Sequence, residues 1–404
     1  MNEELLLSML RHSLTGEPFA VPQECDRDEW EGLFKLALSH RIETLILNEA
    51  LSCNPPPAIA QAWQERAMAQ TLRQMQIVDE LHTALAALDE AKLRVVVLKG
   101  VVLKALYPDP DARQMSDADL LIGAADFAAG RELLLANGFA EDTADTHDDT
   151  FVCASEAGLR IELHKRLFEQ KKQGFLAGLD EDELFKASAA VRWVAHGGEG
   201  EVWSLPPTEH ALFQVLHMAK HMITTGFGLR QVCDFGLFTK AYEDQINWGS
   251  LTDELKRLNL MKFTSSVMWI CKEKLGLSLS NKTEFSEVSA DKSGAMLLYD
   301  IMDAGVFGKS SGERQRSAAI TLRAFDSETT PEGWFERFRR AVFIRADELR
   351  PPFEYAKARK FLLPAAWIHR LVLYILQKKM SDAAGGMRVA DERITLLRSL
   401  DMMK

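Results

Sequence analysis

The chain has 404 residues, 47% hydrophobic and 26% charged, the make-up of a globular protein too long for one compact core. Its formal net charge of -11 excludes a general polyanion binder, because long-range repulsion opposes nucleic acid, while leaving room for a local basic site. Cys25, Cys53, Cys153, Cys233 and Cys271 form no CxxC pair and suit reduced, mostly buried thiols.

The first residues carry acids where a signal peptide needs bases, and no run reaches the roughly 18–20 apolar residues of a spanning helix. A soluble, cytoplasmic protein is expected, with no membrane partner. Residues 1–92 read as helical. Asp26 is placed to cap a helix whose apolar side carries Leu33, Phe34, Leu36 and Leu38. Pro55-Pro56-Pro57 interrupts the pattern, and a single long helix follows.

The texture changes at Leu93. LRVVVLKG is a buried strand closed by Gly100, VVLKALY a short helix, PDPDARQMSD a loop and ADLLIG a second strand. AADFAAGRELLLANGFA is an amphipathic helix closed at Asn137-Gly138. TFVCASEAGLRIELHKRLF reads as two strands joined near Glu156-Ala157-Gly158. After Pro206-Pro207 the chain returns to helix, with a break at Gly226–Gly228. Residues 278–330 are polar and weakly patterned. Residues 381–404 read as a loop and a last helix. The expected fold class is α+β: a small mixed sheet core over 93–205, flanked by helical regions at 1–92 and 206–404.

The chemistry gathers in MSDADLLI. Side chains two apart on a strand share a face, so Asp117 and Asp119 project together. Neighbouring carboxylates repel, which is costly unless a cation sits between them. Oxygen ligands favour magnesium or manganese. In LRIELHK the alternation puts Leu159, Ile161 and Leu163 toward the core and Arg160, Glu162 and His164 on the other face. Two acids on one strand and one on a neighbour suit two-metal phosphoryl chemistry. Lys99 and Arg113 offer charge to phosphates, and Gly100 offers close backbone approach at a helix start.

These segments resemble the uncharacterised nucleotidyltransferase family of the DNA polymerase β-like superfamily. The resemblance rests on Leu98-Lys99-Gly100, Arg113, Ser116-Asp117-x-Asp119-Leu120-Leu121 and Glu162-Leu163-His164. Weaker likeness extends to HMAKH, GLRQVCDFGLF and FLLPAAWIHRL. It implies a polymerase β-like core, magnesium dependence and transfer of a nucleotidyl group. Asp117, Asp119 and Glu162 would be catalytic metal ligands, with Lys99, Gly100, Arg113 and Ser116 on the nucleoside triphosphate. The superfamily's usual Gly-Ser is represented here only by Lys99-Gly100, at a longer distance from the acids.

Other motifs are weaker. His217 and His221 are one helical turn apart, yet position 218 is Met, not the Glu of the zinc-protease pattern. With His164, Lys220 and Arg230 they are expected to line substrate, in preference to forming a zinc site with Asp234. His147-Asp148-Asp149 sits in an acidic loop and reads as solvated. Residues 331–379 hold 11 Lys+Arg against 5 Asp+Glu, interleaved with Trp334, Phe335, Phe338, Phe343, Phe353, Tyr355 and Trp367. Such mixing can serve single-stranded nucleic acid, but more often covers apolar core with basic stems, so nucleic acid is not the favoured partner. The leading expectation is an enzyme moving a nucleoside monophosphate from a nucleoside triphosphate to an unidentified hydroxyl, releasing pyrophosphate. A non-catalytic nucleotide-binding sensor or scaffold is the alternative. A histidine-based phosphohydrolase stands third.

Overall fold

The computed structural model describes residues 2–20, 25–168, 179–197, 201–224, 226–280, 285, 290–305, 317–318, 320–322, 325, 354–356, 362–376 and 379–403. The basic-aromatic stretch 331–379 lies outside the described residues except at Glu354–Ala356, residues 362–376 and the first residue of the last helix.

Helix α1 (Asn2–Thr15), α2 (Arg27–His40), α3 (Leu47–Ser52) and α4 (Pro57–Glu90) form the N-terminal region. Asp26 caps α2 through a capping box with Glu29, satisfying two backbone donors that the helix start leaves open. Pro57 stands at the first position of α4, where its missing N–H costs nothing. Trp63, Ile77, Leu81 and Leu88 make the buried stripe of that helix.

The core follows with β1 (Val95–Val97), α5 (Val101–Lys104), β2 (Asp117–Ile122), α6 (Phe127–Ala136), β3 (Ala140–Glu141), β4 (Thr150–Ala154) and β5 (Arg160–His164). Their order in the sheet is β1-β2-β5-β4-β3. Only β2 and β5 run parallel, setting Asp117 beside Arg160 and Asp119 beside Glu162. Burial alternates along β5 as the sequence predicts: Ile161 and Leu163 face the core and Arg160, Glu162 and His164 face away. Helix α6 closes on the core face at Gly130, where a Cβ would stand 2.9 Å from Ile122 Cδ1 and 3.2 Å from Leu163 Cδ2.

Several elements differ from the sequence expectation. Edge strand β3 and a hairpin of β6 (Val191–Val194) and β7 (Glu201–Ser204) were not legible. Val191 and Val194 are exposed in the hairpin, so its alternation is blurred. Trp203 instead lies under the guanidinium groups of Arg94 and Arg192. Within the weakly patterned 278–330, Asp291–Ala304 is helical and buries Leu297, Ile301 and Met302. The stretch read as a loop after residue 380 belongs to a helix, Lys379–Ser399.

After a short helix α7 (Glu181–Leu184), the C-terminal region opens with α8 (Pro207–Ile223) and α9 (Leu229–Ala241), separated at the glycines the sequence marks. One hydrophobic cluster runs from Leu5 through the sheet to Met402, so the three regions share a core. All five cysteines are free. Among the described residues no helix is long and apolar enough to cross a membrane.

Candidate active site

The sheet face opposite α6 carries the acids, and α8 and α9 close over it to leave a cleft of about 210 Å³. Lys99, Gly100, Arg113, Asp117, Asp119, Glu162, His164, His217, Lys220, His221 and Arg230 all line it; of the site residues expected from sequence only Ser116 does not. Ser116 instead donates its hydroxyl to Asp117 Oδ1 at 3.0 Å. Phe168, Phe213 and Asp234 also form part of the wall.

The acids enter from a loop whose backbone is held by distant side chains. Thr44 donates to Ala112 O, Lys104 Nζ to Arg113 O at 2.7 Å, and Arg230 Nη1 to Gln114 O at 2.7 Å. Gln74 on α4 bonds both the N–H and the C=O of Met115. A buried loop must satisfy its backbone groups somewhere, and here four separate segments do so. The result is a fixed approach to Asp117 at the first position of β2.

Arg113 has a partner that the sequence reading did not assign. Its Nε lies 2.8 Å from Asp234 Oδ1 and its Nη2 2.6 Å from Oδ2, a fork pairing between two buried groups. Tyr107 donates to the same carboxylate at 2.7 Å. Burial opposes the Asp234 charge, but Arg113 outweighs it and holds the carboxyl below its ordinary range. An aspartate inside the apolar run VCDFGLF was the signal that a buried cation must meet it. With Asp234 so engaged, it is not available to His217 and His221.

Lys99 organises the cleft floor. Its Nζ lies 2.8 Å from Asp119 Oδ2 and 3.0 Å from His217 Nε2, and His221 Nε2 stands 3.2 Å from that same His217 nitrogen. Burial disfavours the ammonium, yet Asp119, Asp117 and Glu162 raise Lys99 above its ordinary value. Burial likewise opposes the Asp119 charge, and Lys99 and His164 still hold its carboxyl well below the usual range. Burial and the adjacent Asp119 push Glu162 up. Burial, then Lys99, push His217 well down and His221 to about 4, so both rings are neutral beside the ammonium. A metal cation is therefore not the only charge that makes these carboxylates tolerable. Lys99 on Asp119, and Arg160 at 3.3 Å from Glu162 Oε1, supply charge from within the chain.

Gly100 has φ +65 and ψ -116, a backbone region closed to other residues, and Met115 Cε lies 3.2 Å from where its Cβ would be. It turns the chain sharply behind Lys99. The helix it opens has only four residues, so the expected helix-end site for an anion is too short to count.

The donor set fits a divalent cation. One ligand atom each from Asp119, Glu162 and His164 lie within 4.8 Å of one another, the only such group among the described residues. Asp119 is 8% exposed and its Oδ2 has no aligned hydrogen bond, only the lysine charge. Asp117 lines the same cleft but stands outside that group. Around His147, Asp149 pairs with Lys165, and the loop acids Asp142 and Asp145 pair with Arg160.

Sheet order, paired acids and cleft together define a nucleotidyltransferase-type core on an α+β fold. A family model described as "Uncharacterised nucleotidyltransferase" matches residues 26–276. That is more than half of the chain, and the protein belongs to this family. Among solved structures, the solution structure of the antibiotic-resistance factor ANT(2'')-Ia is similar at 14% identity, covering 45% of this chain and 88% of that chain with a TM-score of 0.31. That likeness is too loose to bear on function. No curated protein matches the chain.

Proposed function

We propose that this protein moves a nucleoside monophosphate from a nucleoside triphosphate to a hydroxyl-bearing acceptor and releases pyrophosphate, with magnesium or manganese as cofactor. The observation that carries this reading is the meeting of Asp117, Asp119 and Glu162 with Lys99 in one cleft of a nucleotidyltransferase-family chain. Asp119 and Glu162, with Asp117 at the start of the strand, would hold the metal, which when bound would neutralise charge on the triphosphate and the attacking oxygen.

The chain's own residues supply the remainder. Lys99, Lys220 and Arg230 bring positive charge to a cleft that must accept a polyanion. Arg113 acts through Asp234, fixing the loop that delivers the acids. The acceptor oxygen attacks the α-phosphorus, the bond from that phosphorus to the bridging oxygen breaks, and pyrophosphate leaves. The hydroxyl proton passes to the Glu162 carboxylate. Positioning and charge neutralisation supply the rate.

The test is incubation with α-labelled nucleotides, magnesium or manganese and fractionated cell extract. Label should appear on an acceptor, with pyrophosphate released. Label transfer unchanged in both Asp117→Ala and Asp119→Ala sinks the mechanism. Tight triphosphate binding without turnover on any fraction supports a sensor or scaffold instead.

A further inference from the structure

We infer that His164 is a nitrogen ligand of the metal, completing a three-donor face with Asp119 and Glu162, and that the site for this reason selects manganese over magnesium. The inference rests on the metal-dependent reading above and adds to it a ligand that the sequence reading had placed on the substrate.

Each of the three side chains divides its two polar atoms between an outer and an inner partner. Asp119 gives Oδ2 to Lys99 at 2.8 Å and turns Oδ1 toward His164 Nε2, 3.5 Å away. Glu162 gives Oε1 to Arg160 at 3.3 Å and turns Oε2 toward the same nitrogen, 3.7 Å away. His164 gives Nδ1 to Thr150 Oγ1 at 3.0 Å and turns Nε2 toward both acids. Each residue is thus pinned by its outer atom, and the three inner atoms converge. Their separations are too long for good hydrogen bonds and short enough for one ion to be shared. Pinning of the outer atoms by Lys99, Arg160 and Thr150 is how proteins orient metal ligands.

Thr150 accommodates the tautomer that a metal requires, because its hydroxyl can accept the Nδ1 proton. It sits directly across from His164 in the β4–β5 ladder. A ring that donates its Nδ1 proton to the threonine oxygen keeps a lone pair at Nε2, aimed between the carboxylates. The reverse tautomer would present an N–H to the acids and could bind no metal.

Ligand chemistry then sets the preference. Magnesium prefers oxygen and gives up its water reluctantly, whereas manganese accepts an imidazole beside carboxylates. Two carboxylates alone would not discriminate in this way.

The test uses the full-length protein, titrated with manganese and read by electron paramagnetic resonance, with pulsed measurements for nitrogen coupling. The expected result is one bound manganese showing a directly coordinated imidazole nitrogen, whose signal changes when the protein is grown with 15N-histidine. In His164→Asn, checked for native unfolding behaviour, the coupling should vanish and manganese affinity fall by about 10–100-fold, with magnesium affinity changed much less. Thr150→Val should weaken manganese by roughly tenfold and keep the coupling. Manganese bound by the wild-type protein without nitrogen coupling, or coupling that survives His164→Asn, overturns the inference and leaves the metal-dependent reading standing. Failure of both ions to bind at millimolar concentration overturns both.

Discussion

Arg113 and Asp234, 121 residues apart in sequence, meet as a buried fork with contacts of 2.8 and 2.6 Å. One belongs to the loop before the acids and the other to α9, so this pair ties the acid-bearing strand to the C-terminal helices. Removing one partner strands a charge in the interior. Asp234→Ala should therefore destabilise the protein by about 3–5 kcal/mol, and a double replacement by apolar residues, Arg113→Met with Asp234→Leu, should recover much of that loss. Denaturant unfolding of the three proteins checks this. A single-variant cost below about 1 kcal/mol, the ordinary value of a surface pair, would contradict it.

The acids can be separated from the fold. Asp119→Asn and Glu162→Gln keep shape and remove charge. Each should lower label transfer by at least about 100-fold, the scale of losing one charged partner of a transition state. Chelation of divalent cations should abolish transfer in the wild-type protein and be reversed by adding manganese. Retained activity in the chelated protein would remove the metal from the mechanism.

Lys99 competes with a cation for Asp119. Lys99→Met leaves Asp119 and Glu162 side by side without the ammonium. The metal-free variant should unfold at a lower temperature than the parent, and manganese should raise its midpoint by more than it raises the parent's, because binding now relieves repulsion as well. Equal metal-induced shifts in the two proteins would mean that the ammonium does not compensate the acids.

Gly100 carries a conformation other residues avoid. Gly100→Ala should cost about 1–3 kcal/mol in unfolding free energy and reduce label transfer by moving Lys99. Unchanged stability would show that the turn relaxes freely.

Acid should weaken the fold through its histidines. Burial lowers His40, His210 and His221 to about 4 from an ordinary 6.5. Their folded values are depressed, so between those limits the unfolded chain takes up protons that the folded chain refuses. Stability is fully present above about pH 6.5, falls as pH drops, and the whole penalty is in place below about 4, at up to about 3 kcal/mol for each ring. Unfolding free energies at pH 7 and 4.5 measure the slope. His210→Gln, which still offers an N–H to Leu98 O, should flatten it.

The strand carrying Glu162 was legible because its alternation is strict, and the acids because DxD opens an otherwise apolar strand. The long helix Pro57–Glu90 and the capping by Asp26 were legible for the same local reasons. What could not be read was long-range. No local pattern says that Asp234 faces Arg113 instead of the nearby histidines, or that Gln74, in the middle of a helix, satisfies the backbone of Met115. The role of Thr150 escapes for a related reason, since it depends on strand register. The β6–β7 hairpin escapes because its anchors are a tryptophan under two arginines and not an alternating apolar face.

The clamp on residues 112–115 also sets an order of events during synthesis. Thr44, Gln74 and Lys104 leave the ribosome before the loop does or with it, but Arg230 and Asp234 follow more than a hundred residues later. A nascent chain that has finished its sheet still lacks the last two fasteners on the segment presenting its aspartates. Competence is therefore acquired late, and truncated chains ending before α9 should retain the strands while misplacing the chemistry.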